Sequence, residues 1–184
     1  MRVIAGTARS LPLASPRGMD TRPTTDRIKE TLFNMLQPYI PGAVFVDLFS
    51  GSGAIGIEAL SRGAARAYFI EQAPAAISCI EQNLAFTKLK ERGIVIKQDA
   101  CVALNGIHEI QADIIFMDPP YHQEQEKRVL ATLRTIPFVT EETLIVVEAD
   151  LHTEFSYLEE YGFQITKEKK YKTNKHLFIQ KRIV

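Results

Sequence analysis

The sequence predicts an α/β protein built on a doubly wound, mostly parallel sheet. Three observations support that reading. From residue 42 onward, short apolar runs alternate with amphipathic stretches. One of these junctions is rich in glycine, and the last two apolar runs stand too close together for a crossover. Apolar strands that alternate with helices imply a parallel sheet covered on both faces.

The elements follow in order. Residues 44–49 (VFVDLF) read as a strand ending in a glycine turn, and 54–62 as a helix closed by Gly63. Residues 66–71 (RAYFIE) form a second strand, followed by a helix over 74–87. Pro74 suits its first position, and Ile77, Ile80 and Leu84 share one face. A third strand covers 93–97 and a short helix 101–108. The fourth strand, 112–117 (ADIIFM), is stopped by two prolines. A helix over 125–135 sets Val129, Leu130 and Leu133 on one face; a fifth strand (143–149) and a helix over 153–161 come next. Residues 163–171 and 176–182 are strands joined by only 172–175, so they pair as an antiparallel hairpin at the sheet edge. The expectation is seven strands, Rossmann-like, with one strand reversed.

Before residue 42 the pattern changes. Residues 2–6 and 9–13 read as a small hairpin, 15–24 as a loop, and 25–36 as a helix with Thr25 as its cap and Asp26 in its first turn. The expected division is therefore an N-terminal extension, 1–41, and a main domain, 42–184.

Net charge is zero, with 22 basic and 22 acidic residues, but the balance is a cancellation. Residues 1–30 hold six bases against three acids, and 164–184 hold seven against Glu168 alone. The middle of the chain is correspondingly acidic. Basic ends suit an anionic partner, while an acidic body suits a cationic or hydroxyl-rich ligand. With 46% hydrophobic and 24% charged residues, the composition excludes a disordered chain. Cys79 and Cys101 lack C-x-x-C spacing, and the four histidines are scattered, so no metal site is expected. No apolar run approaches the ~18 residues that span a bilayer, and no signal pattern opens the chain. A cytoplasmic, reduced protein acting as a monomer and away from membranes is expected.

Two motifs bear chemistry. In Asp47-Leu48-Phe49-Ser50-Gly51-Ser52-Gly53-Ala54-Ile55-Gly56, the glycines match G-x-G-x-x-G between a strand and a helix, and Glu71 ends the next strand. Gly51 and Gly53 let a ligand approach the main chain, and Glu71 can accept both hydroxyls of a ribose. Asp47 would repel a dinucleotide pyrophosphate but attract the ammonium and sulfonium of S-adenosylmethionine. Asp99, after the third strand, is placed for an adenine amino group. The second motif, Asp118-Pro119-Pro120-Tyr121, follows the fourth strand directly. Its prolines forbid strand continuation and leave the Pro119 carbonyl without a local donor. An acid, a fixed carbonyl and an aromatic ring thus stand at the carboxyl end of the sheet, where such folds bind ligands.

This combination resembles the S-adenosylmethionine-dependent amino-methyltransferases with an [N/D]-P-P-[Y/F] motif. More narrowly it resembles the RsmD-like bacterial 16S rRNA guanine-N2 methyltransferases. The resemblance covers nearly the whole chain. It rests on RVIAG (2–6), TRPTTDR (21–27) with Leu32-Phe33-Asn34, DLFSGSGAIGIEALSRGA (47–64) and DPPY (118–121). TRPTTDR is the most family-specific of these. The chain departs from the family at residues 6–11, where a more basic stretch is usual.

The resemblance implies a methyltransferase sheet and methyl transfer from S-adenosylmethionine to a guanine N2 amine of 16S rRNA, in the small subunit or an assembly intermediate. Asp118, Pro119 and Tyr121 would be catalytic. Asp47, Phe49, Ser50, Gly51, Gly53, Glu71, Gln72, Asp99, Ala100 and Asp118 would hold the cofactor. Arg22, Arg27, Lys169, Lys170 and Lys172, with Lys175 beside them, would meet RNA phosphates.

Other readings stay open on the residues alone. An adenine-N6 methyltransferase of DNA or RNA can have D-P-P-Y, although a DNA-reading segment is hard to fit into 184 residues. An NAD-binding redox domain would explain the glycines and Glu71 but not Asp118-Pro119-Pro120-Tyr121. A non-catalytic RNA-binding module is the third.

Overall fold

The computed structural model describes residues 1–16, 25–121 and 123–183. The helices are α1 (Asp26–Leu36), α2 (Ala54–Ser61), α3 (Pro74–Phe86), α4 (Ala100–Asn105) and α5 (Gln125–Leu133). The strands are β1 (Val44–Leu48), β2 (Arg66–Ile70), β3 (Gly93–Ile96), β4 (Ile114–Met117), β5 (Leu144–Asp150), β6 (Phe163–Lys170) and β7 (Asn174–Lys181). They form one seven-stranded sheet in the order β3-β2-β1-β4-β5-β7-β6. β1 to β5 are parallel, and β7 runs against both β5 and β6. The doubly wound sheet with one reversed strand is therefore present as expected.

Strand alternation divides the core in two. Phe45, Phe69, Phe116, Val146 and Phe178 face α1, α2 and α3. Val46, Tyr68, Ile115, Ile145 and Ile179 face α4 and α5. Each face buries a continuous apolar layer, which is what uninterrupted apolar strands require. β6 instead exposes every residue after Phe163, and its lysines guard the free edge of the sheet against pairing with another chain.

The segment ahead of β1 is bolted to α2. Glu58, fully buried, accepts the Ile4 and Ala5 amides at 2.8 and 3.0 Å and pairs with Arg62 and with the buried Lys29. Ser61 takes the Ala8 amide and donates to the Ala5 carbonyl. Burial lowers the Lys29 pKa, opposed by Glu58 and Asp26. Val3, Ala8 and Leu13 join the same apolar layer as α1.

Several local expectations need correction. The hairpin at 2–13 reduces to one isolated bridge, Arg2 with Pro12, because Ser10, at φ 69°, already turns its amide onto the Val3 carbonyl and closes the loop there. The helix expected over 153–161 is a single 3-10 turn, Ser156–Leu158. The Asp150 carboxylate closes a turn on the His152 amide, and Gly162 at φ 77° ends the segment, leaving too few residues for a cooperative helix. The short helix expected over 101–108 stops at Asn105. β7 starts at Asn174, two residues early, because the Tyr171 amide already bonds the Asn174 carbonyl.

Candidate active site at the carboxyl edge of the sheet

The glycine turn is built by left-handed backbone. Phe49, Gly51 and Gly53 have φ of 60°, 55° and 78°. Glycine adopts this region freely, whereas a phenylalanine there is strained, a feature that clusters at ligand sites. Ser50 Oγ donates to the Asp47 carbonyl at 2.7 Å, and the Gly53 amide bonds the Ser50 carbonyl. A Cβ on Gly56 would sit 2.4 Å from the Phe69 ring, so the third glycine lets α2 lie directly on the sheet.

Glu71 does not simply wait for a ribose. Its Oε2 accepts the Gly51 amide at 2.9 Å, and its Oε1 accepts the amides of Gln72 and Ala73 at 2.8 and 3.0 Å. The exposed Gln72 thus lies beside the carboxylate, on the same outer turn. Asp99 caps α4 through the Cys101 and Val102 amides, placing the buried Ala100 at the first helical position. Its carboxylate is also gripped by both terminal nitrogens of Arg128 on α5, at 2.9 and 3.2 Å. An adenine amine reaching Asp99 has to share it with Arg128, which the sequence did not foretell.

Register aligns the acids. Asp47 pairs with Phe69 and Phe116, Phe116 with Val146, and Val146 with Phe178. Alternation then places Glu71, Asp118, Glu148 and His176 on the same face, one pleat nearer the carboxyl edge. Asp47 is buried, its Oδ2 accepting the Gly56 amide at 3.0 Å. Burial pushes its pKa up to about 8; the Gly56 amide opposes this and Glu71 adds to it. The Asp118 carboxyl is held well above its ordinary value, first by burial and then by Glu148 and Asp47. Pro119 is buried, while Pro120 and Tyr121 are exposed.

Sequence reasoning passed over the neighbours of Asp118. Glu148 accepts from Asn174 Nδ2 at 2.7 Å and lies 2.8 Å from His176 Nε2. The Tyr171 hydroxyl lies 3.1 Å from His176 Nδ1 and the Phe116 ring meets His176 edge-on. The available signal was Glu148, an acid that directly follows the apolar run 144–147.

Of the basic residues expected at RNA, Arg27, Lys169, Lys170 and Lys172 are exposed. Lys170 lies 3.4 Å from Glu168. Arg22 falls outside the described residues. Lys175 is not available in the same way: it is buried, donates to the Thr153 carbonyl at 2.9 Å and lies over the Phe155 ring. Among the described residues no cluster of His, Cys, Asp or Glu is arranged to hold a metal ion, and no helix is long and apolar enough to cross a membrane.

Comparison with known proteins bears on the family and the fold. The family described as "Conserved hypothetical protein 95" matches residues 1–180. The "Ribosomal RNA small subunit methyltransferase D" of Escherichia coli (strain K12) is 38% identical over 82% of this chain and 75% of its own length. Its Haemophilus influenzae namesake is 36% identical over 82% and 79%. The solved structure named "Putative methyltransferase yhhF", from Escherichia coli, superposes with a TM-score of 0.83 at 33% identity, covering 98% of this chain and 97% of that one.

Proposed function

The chain belongs to the family described as Conserved hypothetical protein 95, the RsmD family of methyltransferases, and on that premise we propose that it methylates the N2 amine of a guanine in 16S rRNA. The type meant is the one acting at position 966. S-adenosylmethionine is the proposed donor, and the RNA is met in the small subunit or an assembly intermediate. Residues 1–41 would serve as the RNA-facing extension and 42–184 as the catalytic unit. The observation that supports this most is the pair of acids with raised pKa beside the glycine turn, the buried Asp47 and the half-buried Asp118.

Those acids fit the cofactor. Two carboxyls whose surroundings resist ionisation have no compensating cation among the described residues, and an ammonium and a sulfonium supply one. Asp47, Phe49, Ser50, Gly51 and Gly53 would hold the methionine part, Glu71 with Gln72 the ribose, and Asp99 with Ala100 the adenine. When bound, the cofactor supplies an electrophilic methyl group.

The protein's part is positioning and electrostatics. Guanine N2 is a weak nucleophile because its lone pair is delocalised into the ring. The Asp118 carboxylate and the Pro119 carbonyl would accept its two hydrogens and turn the lone pair out of conjugation. Asp118 can then keep the proton that the amine releases, since its surroundings favour the protonated acid. Tyr121 would stack on the extruded base, an interaction worth roughly 1–3 kcal/mol. Arg22, Arg27, Lys169, Lys170 and Lys172 would hold the phosphates.

The test is methyl transfer from labelled S-adenosylmethionine to small subunits that lack the modification. Label on guanine N2, lost in Asp118→Ala, is the expected result. Label on DNA or on adenine overturns the reading.

A further inference from the structure

Asn174 has no part in the chemistry above, yet it is buried near the edge where that chemistry is placed. Its orientation is fixed, because the amide atom facing Glu148 Oε1 at 2.7 Å must be the donor Nδ2. Glu148 is itself braced by His176, and His176 by Tyr171. The other amide atom, Oδ1, is buried with no hydrogen-bond partner among the described residues. A buried acceptor left unpaired forfeits its hydration with no return, so natural folds seldom keep one without a use.

The register says what lies near it. Asn174 pairs with Asp150, two residues beyond the Glu148–His176 rung and towards the carboxyl end of β5. Met117 pairs with Val147, so Asp118, the next residue, follows level with Glu148. Asn174 therefore stands on the same face as Asp118, with only β5 between their strands. Neighbouring strands are about 4.8 Å apart, so the two main chains lie roughly 10 Å from each other. Two side chains and the edge of one base between them can span that gap.

We propose that Asn174 is the specificity-determining residue for guanine: its Oδ1 accepts the N1–H of the extruded base while Asp118 and Pro119 hold the N2 amine. The inference rests on the functional reading above and deepens it. Guanine presents N1–H and the N2 amine side by side, both as donors. Adenine places a ring nitrogen lone pair beside its amine, and that lone pair would face Oδ1 and leave it unpaired. A site built to receive a donor rejects the analogue that lacks it.

The test compares two reconstituted small subunits that differ at one base, the guanine labelled in the assay above or 2-aminopurine in its place. 2-Aminopurine keeps the N2 amine but has no N1–H. The protein should prefer guanine roughly 10–100-fold, the discrimination one well-placed base contact gives. In Asn174→Ala the two rates should converge, whereas Tyr171→Phe, which leaves the amide in place, should keep the preference. The rate ratio is internal to each preparation, so a general loss of folded protein does not change it. Equal rates for the unaltered protein overturn the proposal whatever the variants do, and so does an undiminished preference in Asn174→Ala. Failure of the unaltered protein to label any guanine overturns the functional reading instead.

Discussion

Glu71 Oε2 accepts the Gly51 amide at 2.9 Å, so the end of β2 and the glycine turn after β1 are held by one carboxylate. The same side chain gathers the Gln72 and Ala73 amides. Removing it in Glu71→Ala strips an acceptor from three amides and should lower stability by about 1–3 kcal/mol. The glycine turn should loosen with it, weakening S-adenosylmethionine binding roughly tenfold or more. Glu71→Gln keeps one acceptor oxygen and should fall between. Calorimetry and thermal unfolding on the three proteins check this; an unaltered affinity in Glu71→Ala refutes it.

Asp47 makes the fold lose stability as pH rises from 3.8 to about 8. Its pKa is raised from 3.8 to about 8, so below pH 3.8 the folded and unfolded chains both keep the proton. As pH rises towards 8, the unfolded chain gives up the proton and the fold retains it. The contribution to stability is thus full below pH 3.8 and gone above 8. The decline is roughly 1.4 kcal/mol per pH unit. Urea unfolding at pH 5 and pH 7 should show wild type losing about 2–3 kcal/mol more than Asp47→Asn. Parallel pH dependences in the two proteins contradict it.

Cofactor binding should release protons. Near pH 7 Asp47 is mostly protonated, and the raised Asp118 carboxyl adds to the effect. A cation arriving beside them favours ionisation, so S-adenosylmethionine should expel about one proton at that pH. Titration calorimetry in buffers of different ionisation enthalpy measures it directly. S-adenosylhomocysteine, whose sulfur is uncharged, should expel fewer. Binding heats that ignore the buffer defeat the prediction.

The terminal hairpin should set the salt response. Lys169, Lys170 and Lys172 are exposed, and each phosphate contact contributes about 0.7–0.9 to the slope of log affinity against log salt. Replacing all three by alanine should flatten that slope by about 2 in filter binding to small-subunit RNA. Lys175→Ala should instead reduce stability, because its ammonium is spent on Thr153. An unchanged slope in the triple variant removes the hairpin from the interface.

The parallel core was legible because burial on both faces writes itself as unbroken apolar runs such as residues 114–117 and 144–147. The glycine turn and Asp118 were legible because tight backbone and strand-stopping prolines restrict the residues allowed. The partners that occupy Asp99 and Glu71 were not. Arg128 lies 29 residues from Asp99, and the amides at Glu71 belong to backbone, which has no letter in a sequence. Asn174 was hidden for a related reason. Its burial depends on β7 lying between β5 and β6, a strand order that the local pattern of a lysine-rich hairpin does not reveal.

The bolt between the opening residues and α2 has a consequence for how the chain comes into being. Ile4 and Ala5 are synthesised before α2, yet their amides rest on Glu58 and that of Ala8 on Ser61. During translation that opening segment must wait, unseated, until α2 has left the ribosome. α2 springs directly from the glycine turn, so until the segment docks, Glu58 is a carboxylate at the back of that turn without two of its amides. Residues made before α2 are thus among those that complete the fold.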